Sequence, residues 1–278
     1  MSKVWFITGA GRGIGAQVAK AALEAGDRVV VTGRNVAQLQ AAYAAYGGKV
    51  LALKLDASLE GDAIAAVEAA HARFGSIDVL VNNAGYGQLG LFEEVTPDDI
   101  ERQFHTNVFG TMHVTRAVLP LMRRQRRGHI MNFASVGGFM GFDGASVYCA
   151  AKFAVEGFSE SLALEVAPFG INVTIVEPGF FRTDFLDKSS VRYGAHKISD
   201  YEKVAGESLT NYESYNHKQP GDPVKLGQVL VEVANLQEPP LHFVAGSDAI
   251  QFARSTYDRR KSEVDAFAHL SVKTDGNF

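Results

Sequence analysis

The sequence predicts an α/β protein: a doubly wound, seven-stranded parallel sheet with helices on both faces. Two observations predict it. Short, continuously apolar runs alternate with longer helical patterns almost throughout the 278 residues, the rhythm of strand–helix–strand units with right-handed crossovers. Gly9, Gly33, Asp56, Asn83, Ser135 and Pro178 each stand at or just past the end of such a run, where open parallel sheets bind their ligands. No internal repeat or low-complexity linker breaks the pattern, so residues 1–278 read as one domain. A hydrophobic share of 46% is enough for one large core.

Val4-Trp5-Phe6-Ile7 is apolar at every position, as a strand buried on both faces must be. A glycine-rich turn follows, then an Ala-rich helix over 17–25 stopped by Gly26. Residues 28–32 contain Val29-Val30-Val31 and give the second strand. A helix over 36–46 leads to the third strand, 50–55, and another over 61–74 to the fourth, 77–81. Thr96 reads as an N-cap, Pro97 as the first helical residue, and Asp98-Asp99 as acids favoured in a first turn. That helix is expected to run unbroken to about Arg124. Residues 129–134 form the fifth strand, and a helix then reaches Ala167. Residues 171–176 form the sixth strand, ending at Pro178-Gly179. The stretch 180–219 reads as irregular, polar and aromatic. Asp222-Pro223 opens a helix to about Asn235, and 241–245 gives a short seventh strand. The chain closes with a helical extension over 250–278, its charged amphipathic helix at about 255–270.

The bulk chemistry excludes several classes. Net charge is −4, from 27 basic and 31 acidic residues, so neither nucleic acid nor an anionic membrane is attracted overall. The run Arg123-Arg124-Gln125-Arg126-Arg127 reads as a solvated helix end. Cys149 is the single cysteine, which rules out an intramolecular disulfide and fits a buried helix position in a cytoplasmic setting. The first ten residues read as a strand rather than a leader, and no apolar run is long enough to span a bilayer. The eight histidines show no ligand spacing; His105 and His113 stand eight apart on one helix. No metal is expected.

Gly9-Ala10-Gly11-Arg12-Gly13-Ile14-Gly15 lies between a first strand and a first helix. There, backbone N–H groups and the helix N-terminus receive a pyrophosphate. This is the turn of a dinucleotide-binding Rossmann fold. Sites for NAD usually carry an acid at the end of the second strand, for the ribose 2′-OH. Here Thr32-Gly33-Arg34 stands instead. The acid is missing, and Arg34 and Arg12 are positioned to flank a 2′-phosphate. NADP(H) is therefore expected over NAD(H).

Tyr148 and Lys152 are four residues apart and share a helix face. Free Tyr titrates near pH ~10, and a fixed ammonium nearby lowers that value. Such a pair by itself is commonplace on helix surfaces. Together with the other motifs, the sequence resembles the classical short-chain dehydrogenases/reductases. Thr8 to Gly15 matches the family's Thr-Gly-x-x-x-Gly-x-Gly, and Asn82-Asn83-Ala84-Gly85 its Asn-Asn-Ala-Gly turn. Asn107, Ser135, Tyr148 and Lys152 match its catalytic tetrad, and Pro178-Gly179 its sixth-strand motif. The match runs over about residues 3–180.

The resemblance implies an oxidoreductase that moves a hydride between a nicotinamide and a ketone or secondary alcohol. Tyr148 would be the general acid/base, with its pKa lowered by Lys152 together with the positive charge of the oxidised nicotinamide. Lys152 would also hold the nicotinamide ribose. Ser135 would bond the substrate oxygen, and Asn107 would hold a relay water. The cofactor contacts it implies are Gly9, Arg12, Gly13, Ile14 and Gly15 at the phosphates, Arg34, Asp56 and Ala57 at the adenosine end, and Asn83, Ala84 and Gly85 near the ribose. Tyr148, Lys152, Pro178, Gly179 and Thr183 complete the set. It also implies a homodimer or homotetramer built on the helices that begin near Thr96 and Ser146.

The segment 180–222 is expected to form a substrate lid, with Phe180, Phe181, Phe185, Tyr193, Tyr201, Tyr212 and Tyr215 available to it. Phe139, Met140 and Phe142 would line the same pocket. An apolar, aromatic or alicyclic carbonyl compound fits such walls. Two rivals stand beside this reading. One is a catalytically silent NADP(H) sensor or scaffold, against which four separated polar groups in chemical register argue. The other is an epimerase or dehydratase of the extended family, for which about 100 residues after Pro178 are too few.

Overall fold

The structure, a computed structural model, describes residues 2–187 and 190–276. In chain order, the first half contains β1 (Val4–Ile7), α1 (Gly13–Glu24), β2 (Arg28–Gly33), α2 (Val36–Ala42), β3 (Val50–Lys54), α3 (Glu60–Phe74), β4 (Val79–Asn82), β5 (Gly87–Leu89), α4 (Pro97–Phe104) and α5 (Gly110–Gln125). The second half contains β6 (Gly128–Phe133), α6 (Ser146–Val166), β7 (Ile171–Pro178), β8 (Val191–Tyr193), α7 (Glu202–Tyr215), α8 (Pro223–Val233), β9 (His242–Ala245) and α9 (Ser247–Ser271). Seven strands form one parallel sheet in the order β3-β2-β1-β4-β6-β7-β9. This is the expected doubly wound Rossmann arrangement.

Each strand is buried on both faces because helices cover both. In β1 the alternation splits the core. Trp5 and Ile7 pack with Val18 and Leu23 of α1 and Leu226 and Leu230 of α8. Val4 and Phe6 face the other way, with Val67 of α3 and Val114 and Val118 of α5. Trp5 is fully buried, and its indole N–H donates to Asp27 Oδ2 at 2.8 Å, so its polar atom is not stranded.

Four expectations need correction. The stretch 180–219 is not irregular: it holds β8, paired in parallel with β5, and the helix α7. Among its described residues α7 buries only Ser208, so its sequence carries no apolar stripe for periodicity to detect. The helix expected over 96–124 is interrupted by a π-turn at His105–Phe109. The helix expected to Tyr46 ends at Ala42 and continues as a tight turn to Lys49, because Tyr43 turns inward and donates its hydroxyl to Ala10 O at 2.7 Å. The last helix begins at Ser247, where Ala249, Ala253 and Thr256 anchor it. Lys188 and Ser189 of the expected lid, and Asn277 and Phe278 of the extension, lie outside the described residues. Among the described residues, no helix is long and apolar enough to cross a membrane.

His129 of β6 is buried, and its Nε2 lies 2.8 Å from Thr174 Oγ1. The Thr174 hydroxyl donates to Pro240 O at 2.7 Å, so the imidazole donates to the hydroxyl oxygen and is held as one neutral tautomer. Burial lowers its pKa to about 4. The folded state therefore binds this proton less readily than the unfolded one, and stability falls as pH drops from about 6.5 through about 4. The contribution at stake is roughly 3 kcal/mol. Denaturant titrations at pH 7.5 and 4.5 should show this loss in the wild type and a clearly smaller one in His129→Gln.

Candidate active site

The carboxyl ends of β1, β2, β3, β4, β6 and β7 open onto one cleft of about 1010 Å³. Ligand pockets typically run to ~300–1,000 Å³, so this one has room for a dinucleotide and a second molecule. Every residue expected at the site lines it except Gly15, which lies beneath the floor.

The floor is built by Thr8, Asn83 and the glycine turn. Thr8 Oγ1 accepts from the N–H groups of Asn83 and Ala84, both at 3.0 Å, and lies 3.3 Å from Val81 O as a donor. Its one proton and two lone pairs are thereby used. Asn83 Nδ2 donates back to Thr8 O at 3.0 Å and Gly9 O at 3.2 Å. These bonds lock the ends of β1 and β4 together. Gly9 takes φ +67°, a conformation suited to glycine. A Cβ at Gly15 would come within 2.4 Å of Asn83 Nδ2 and 2.6 Å of Gly9 O, so only glycine lets the helix start this close to the turn. Residue Arg12 precedes α1 in extended conformation, and the first turn of α1 carries no acid. Its positive dipole end thus faces the cleft, as an anionic pyrophosphate requires. The residues present fit a dinucleotide.

At the adenosine end, Arg34 is exposed at the cleft rim, just past Gly33. Asp56 Oδ1 accepts from Ser58 N at 3.1 Å and Ser58 Oγ at 2.7 Å, and buried Ala57 abuts Gly110 of α5. At the far end, Thr183 stands 3.9 Å from where a Gly13 side chain would begin, so the segment after β7 returns to the glycine turn. Pro178 ends β7, and Gly179 N donates to Ala245 O at 3.0 Å.

Ser135 follows β6, and its Oγ accepts from Gly137 N at 3.2 Å. Tyr148 lies in the first turn of α6, half-buried against Phe185, whose ring centroid is 5.7 Å away. Lys152 is buried one turn on. Its Nζ donates to Phe133 O at 2.7 Å and sits 5.8 Å from the Tyr148 ring centroid. Asn107 falls in the π-turn. Its Nδ2 donates to Tyr86 O at 2.9 Å and its Oδ1 accepts from Tyr86 N at 3.2 Å. The amide is thus committed to the backbone beside Gly85.

Burial pushes the Tyr148 phenol up to about 12, while a hydrogen bond with Ser135 pulls against that rise. Burial also pushes Lys152 down to about 8, opposed by the charge of Glu156 one turn further along α6. Desolvation disfavours both charged forms. At neutral pH Tyr148 is a protonated donor and Lys152 a cation.

Of the aromatics expected to line the pocket, Phe142, Phe180, Phe181, Phe185 and Tyr212 do. Tyr193, Tyr201 and Tyr215 do not, and Phe139 and Met140 turn into a separate cluster with Ala249, Ala253 and Phe252. Tyr86 and Arg192 also line the cleft, with the guanidinium 6.0 Å from the ring centroid. They went unnoticed because β5 and β8 are three residues each and join segments about 100 positions apart.

Residues 3–193 match the family model described as short chain dehydrogenase. An oxidoreductase of Botryotinia fuckeliana, BOA17, is 36% identical over 98% of this chain and 99% of its own. A 3-ketodihydrosphingosine reductase of Bacteroides thetaiotaomicron is 37% identical over 88% of each. The crystal structure of a short-chain dehydrogenase from Streptomyces avermitilis superposes with a TM-score of 0.91 at 38% identity, over 99% of this chain and all of that one. The chain belongs to the short-chain dehydrogenase/reductase family. It is an oxidoreductase of the kind that binds a nicotinamide cofactor.

Replacing Thr8 by Val keeps the shape but leaves two backbone N–H groups unpaired, at about 2 kcal/mol in total. Thr8→Val should lower the unfolding midpoint and weaken nicotinamide-dinucleotide binding in calorimetry, whereas Thr8→Ser should preserve both.

Proposed function

We propose that this protein is an NADP(H)-dependent carbonyl reductase, acting on an apolar, aromatic or alicyclic ketone or on the matching secondary alcohol. One observation carries the reading: Ser135, Tyr148 and Lys152 converge on the same cleft as the glycine turn, with Tyr148 protonated at neutral pH. A bound nicotinamide supplies the hydride. Tyr148 gives its proton to the carbonyl oxygen, and Ser135 hydrogen-bonds that oxygen as negative charge develops on it. Lys152 places a cation beneath the phenol, favouring its anion after the proton has gone, and binds the ribose. Asn107 fixes the Tyr86 backbone and completes the wall beside Gly85.

Arg34 and Arg12 are the residues we assign to the 2′-phosphate. The carboxyl end of β2 carries no acid to receive a ribose 2′-OH, and both arginines line the cleft. Phe142, Phe180, Phe185 and Tyr212 give the substrate region its apolar walls. The Bacteroides relative is named for 3-ketodihydrosphingosine, so that ketone belongs in the test panel beside cyclic ketones. Self-association through the faces around α4 and α6 is part of the same reading, supported by the exposure of Phe109 and Phe153.

NADPH oxidation with a panel of ketones tests the reaction. Tyr148→Phe should lower kcat by at least ~100-fold, the low end of what a positioned acid contributes, with the dissociation constant of NADPH little changed. Equal turnover in this variant would exclude Tyr148 as the acid. A wild type inert toward every carbonyl would favour the silent sensor. Arg34→Ala should weaken NADPH binding by about tenfold, the loss of one charge-assisted contact of ~1.5 kcal/mol, and NADH binding far less. Parallel losses for the two cofactors would rule out a 2′-phosphate contact.

A further inference from the structure

Where the chain comes back from α7 toward α8, Gln219-Pro220-Gly221 returns along residues 180–182, just past the end of β7. Phe181 and Gly221 form an isolated parallel bridge. Gly221 N donates to Phe180 O at 3.0 Å, and Arg182 N donates to Gly221 O at 2.9 Å. The Arg182 guanidinium grips Gln219: Nε and Nη2 donate to Gln219 O at 3.3 and 3.1 Å. The following Pro220 favours extended backbone at Gln219. A Cβ at Gly221 would meet the Phe181 ring at 2.7 Å, so the two segments lie in close contact. The main chain of Gln219 is thereby fixed from both sides.

Gln219 borders the cleft. The residue is 2% exposed, and its Oε1 is buried with no hydrogen-bond partner among the described residues. A buried amide oxygen without a donor is costly and uncommon in a folded protein. The terminal torsion of Gln is broad, so a donor arriving in the cleft can recruit this oxygen. The position of Gln219 says which donor. It stands beside the segment that carries Pro178, Gly179, Phe181 and Thr183, all of which line the cleft, and Thr183 reaches back to Gly13. A dinucleotide with its pyrophosphate at the N-terminus of α1 and its reacting carbon at Tyr148 presents its nicotinamide half here. Phosphate oxygens only accept hydrogen bonds, and the ribose is assigned to Lys152. The carboxamide NH₂ of the nicotinamide is the donor that remains.

We propose that Gln219 is a cofactor-binding residue whose Oε1 accepts a hydrogen bond from the carboxamide NH₂ of the bound nicotinamide. The inference rests on the dinucleotide reading above and adds to it a side-chain contact on the nicotinamide itself. The bond pairs an oxygen that is otherwise orphaned. It also resists rotation of the nicotinamide ring about its glycosidic bond, so that one face of the ring stays turned toward the substrate. Gln219 holds the cofactor and exchanges no proton with it.

The test is calorimetric binding of NADP⁺ and NAD⁺ to the full-length protein, each against its 3-acetylpyridine analogue, in which a methyl group replaces the carboxamide NH₂. The wild type should bind the carboxamide form of its preferred dinucleotide more tightly than the analogue. Gln219→Met fills a similar space without the acceptor. It should bind the carboxamide form about five- to tenfold more weakly, the loss of one neutral hydrogen bond, with the analogue's affinity little changed. Gln219→Asn keeps an amide but withdraws it by one methylene, and should lose the same preference even where Gln219→Met fails to fold. Gln219→Glu keeps an acceptor in place and should retain the preference. The inference is overturned if Gln219→Met and Gln219→Asn keep the wild-type preference, or if they weaken the carboxamide form and the analogue alike, as a merely structural residue would. A wild type that binds the two forms equally overturns it and leaves the dinucleotide reading intact, whereas one that binds no dinucleotide overturns both.

Discussion

The geometry of the site depends on a buried chain of hydrogen bonds that fixes α6 to the sheet. Asn82 Nδ2, at the end of β4, donates to Thr115 Oγ1 of α5 and to Asn132 Oδ1 of β6, at 2.9 and 2.8 Å. Asn132 Nδ2 donates to Ser159 Oγ of α6 at 2.8 Å, and Ser159 returns its proton to Val155 O at 2.7 Å. Apolar contact alone would let a helix slide over a sheet at small cost. The directional bond from Asn132 to Ser159, with both partners fixed by further bonds in a low-dielectric interior, does not. Because α6 is held in register at Ser159, Tyr148 and Lys152, three and two turns earlier, are held near the end of β6, where Lys152 reaches Phe133 O. The relation between the helix and Ser135 follows from this chain.

The same burial that fixes the pair sets its charge. The phenol is driven toward its neutral form and the ammonium loses part of its basicity, both through desolvation. For a reductase this is the useful starting state, since the acid must arrive protonated. In the proposed reaction the cation would matter later, once the phenol has given up its proton and an anion must be held in an apolar wall. Lys152 Nζ is anchored to Phe133 O, which fixes where that cation sits. The lid contributes on the open side. Phe185 packs against Tyr148, and β8 pairs with β5, so the aromatic wall is tied to the segment that follows the Asn83 turn.

Much of this was legible in the residue order, for a local reason. A buried parallel strand is a short apolar run, its end is marked by a polar or glycine residue, and the next helix announces itself by capping. Gly9, Gly33, Asp56, Asn83, Ser135 and Pro178 could be placed at one edge because every strand in such a sheet runs the same way. The lid resisted. Its helix α7 is polar nearly all round, and β5 with β8 is a pairing of three-residue segments across about 100 positions. Asn107 could be named by resemblance, but its engagement with Tyr86 depends on a π-turn that no spacing announces.

The sequence by itself determined the sheet, the glycine turn, the missing acid after Thr32 and the helical spacing of Tyr148 and Lys152. These are short-range properties, written in periodicity and in which residues tolerate a tight turn. Only the tertiary structure decided which aromatics face the cleft, the burial of Tyr148 and Lys152, and the meeting of Glu156, Glu160, Glu177 and His242. Desolvation and side-chain proximity are properties of three-dimensional surroundings. A helix, a strand and a distant edge strand each contribute one part, and no one-dimensional pattern records their sum.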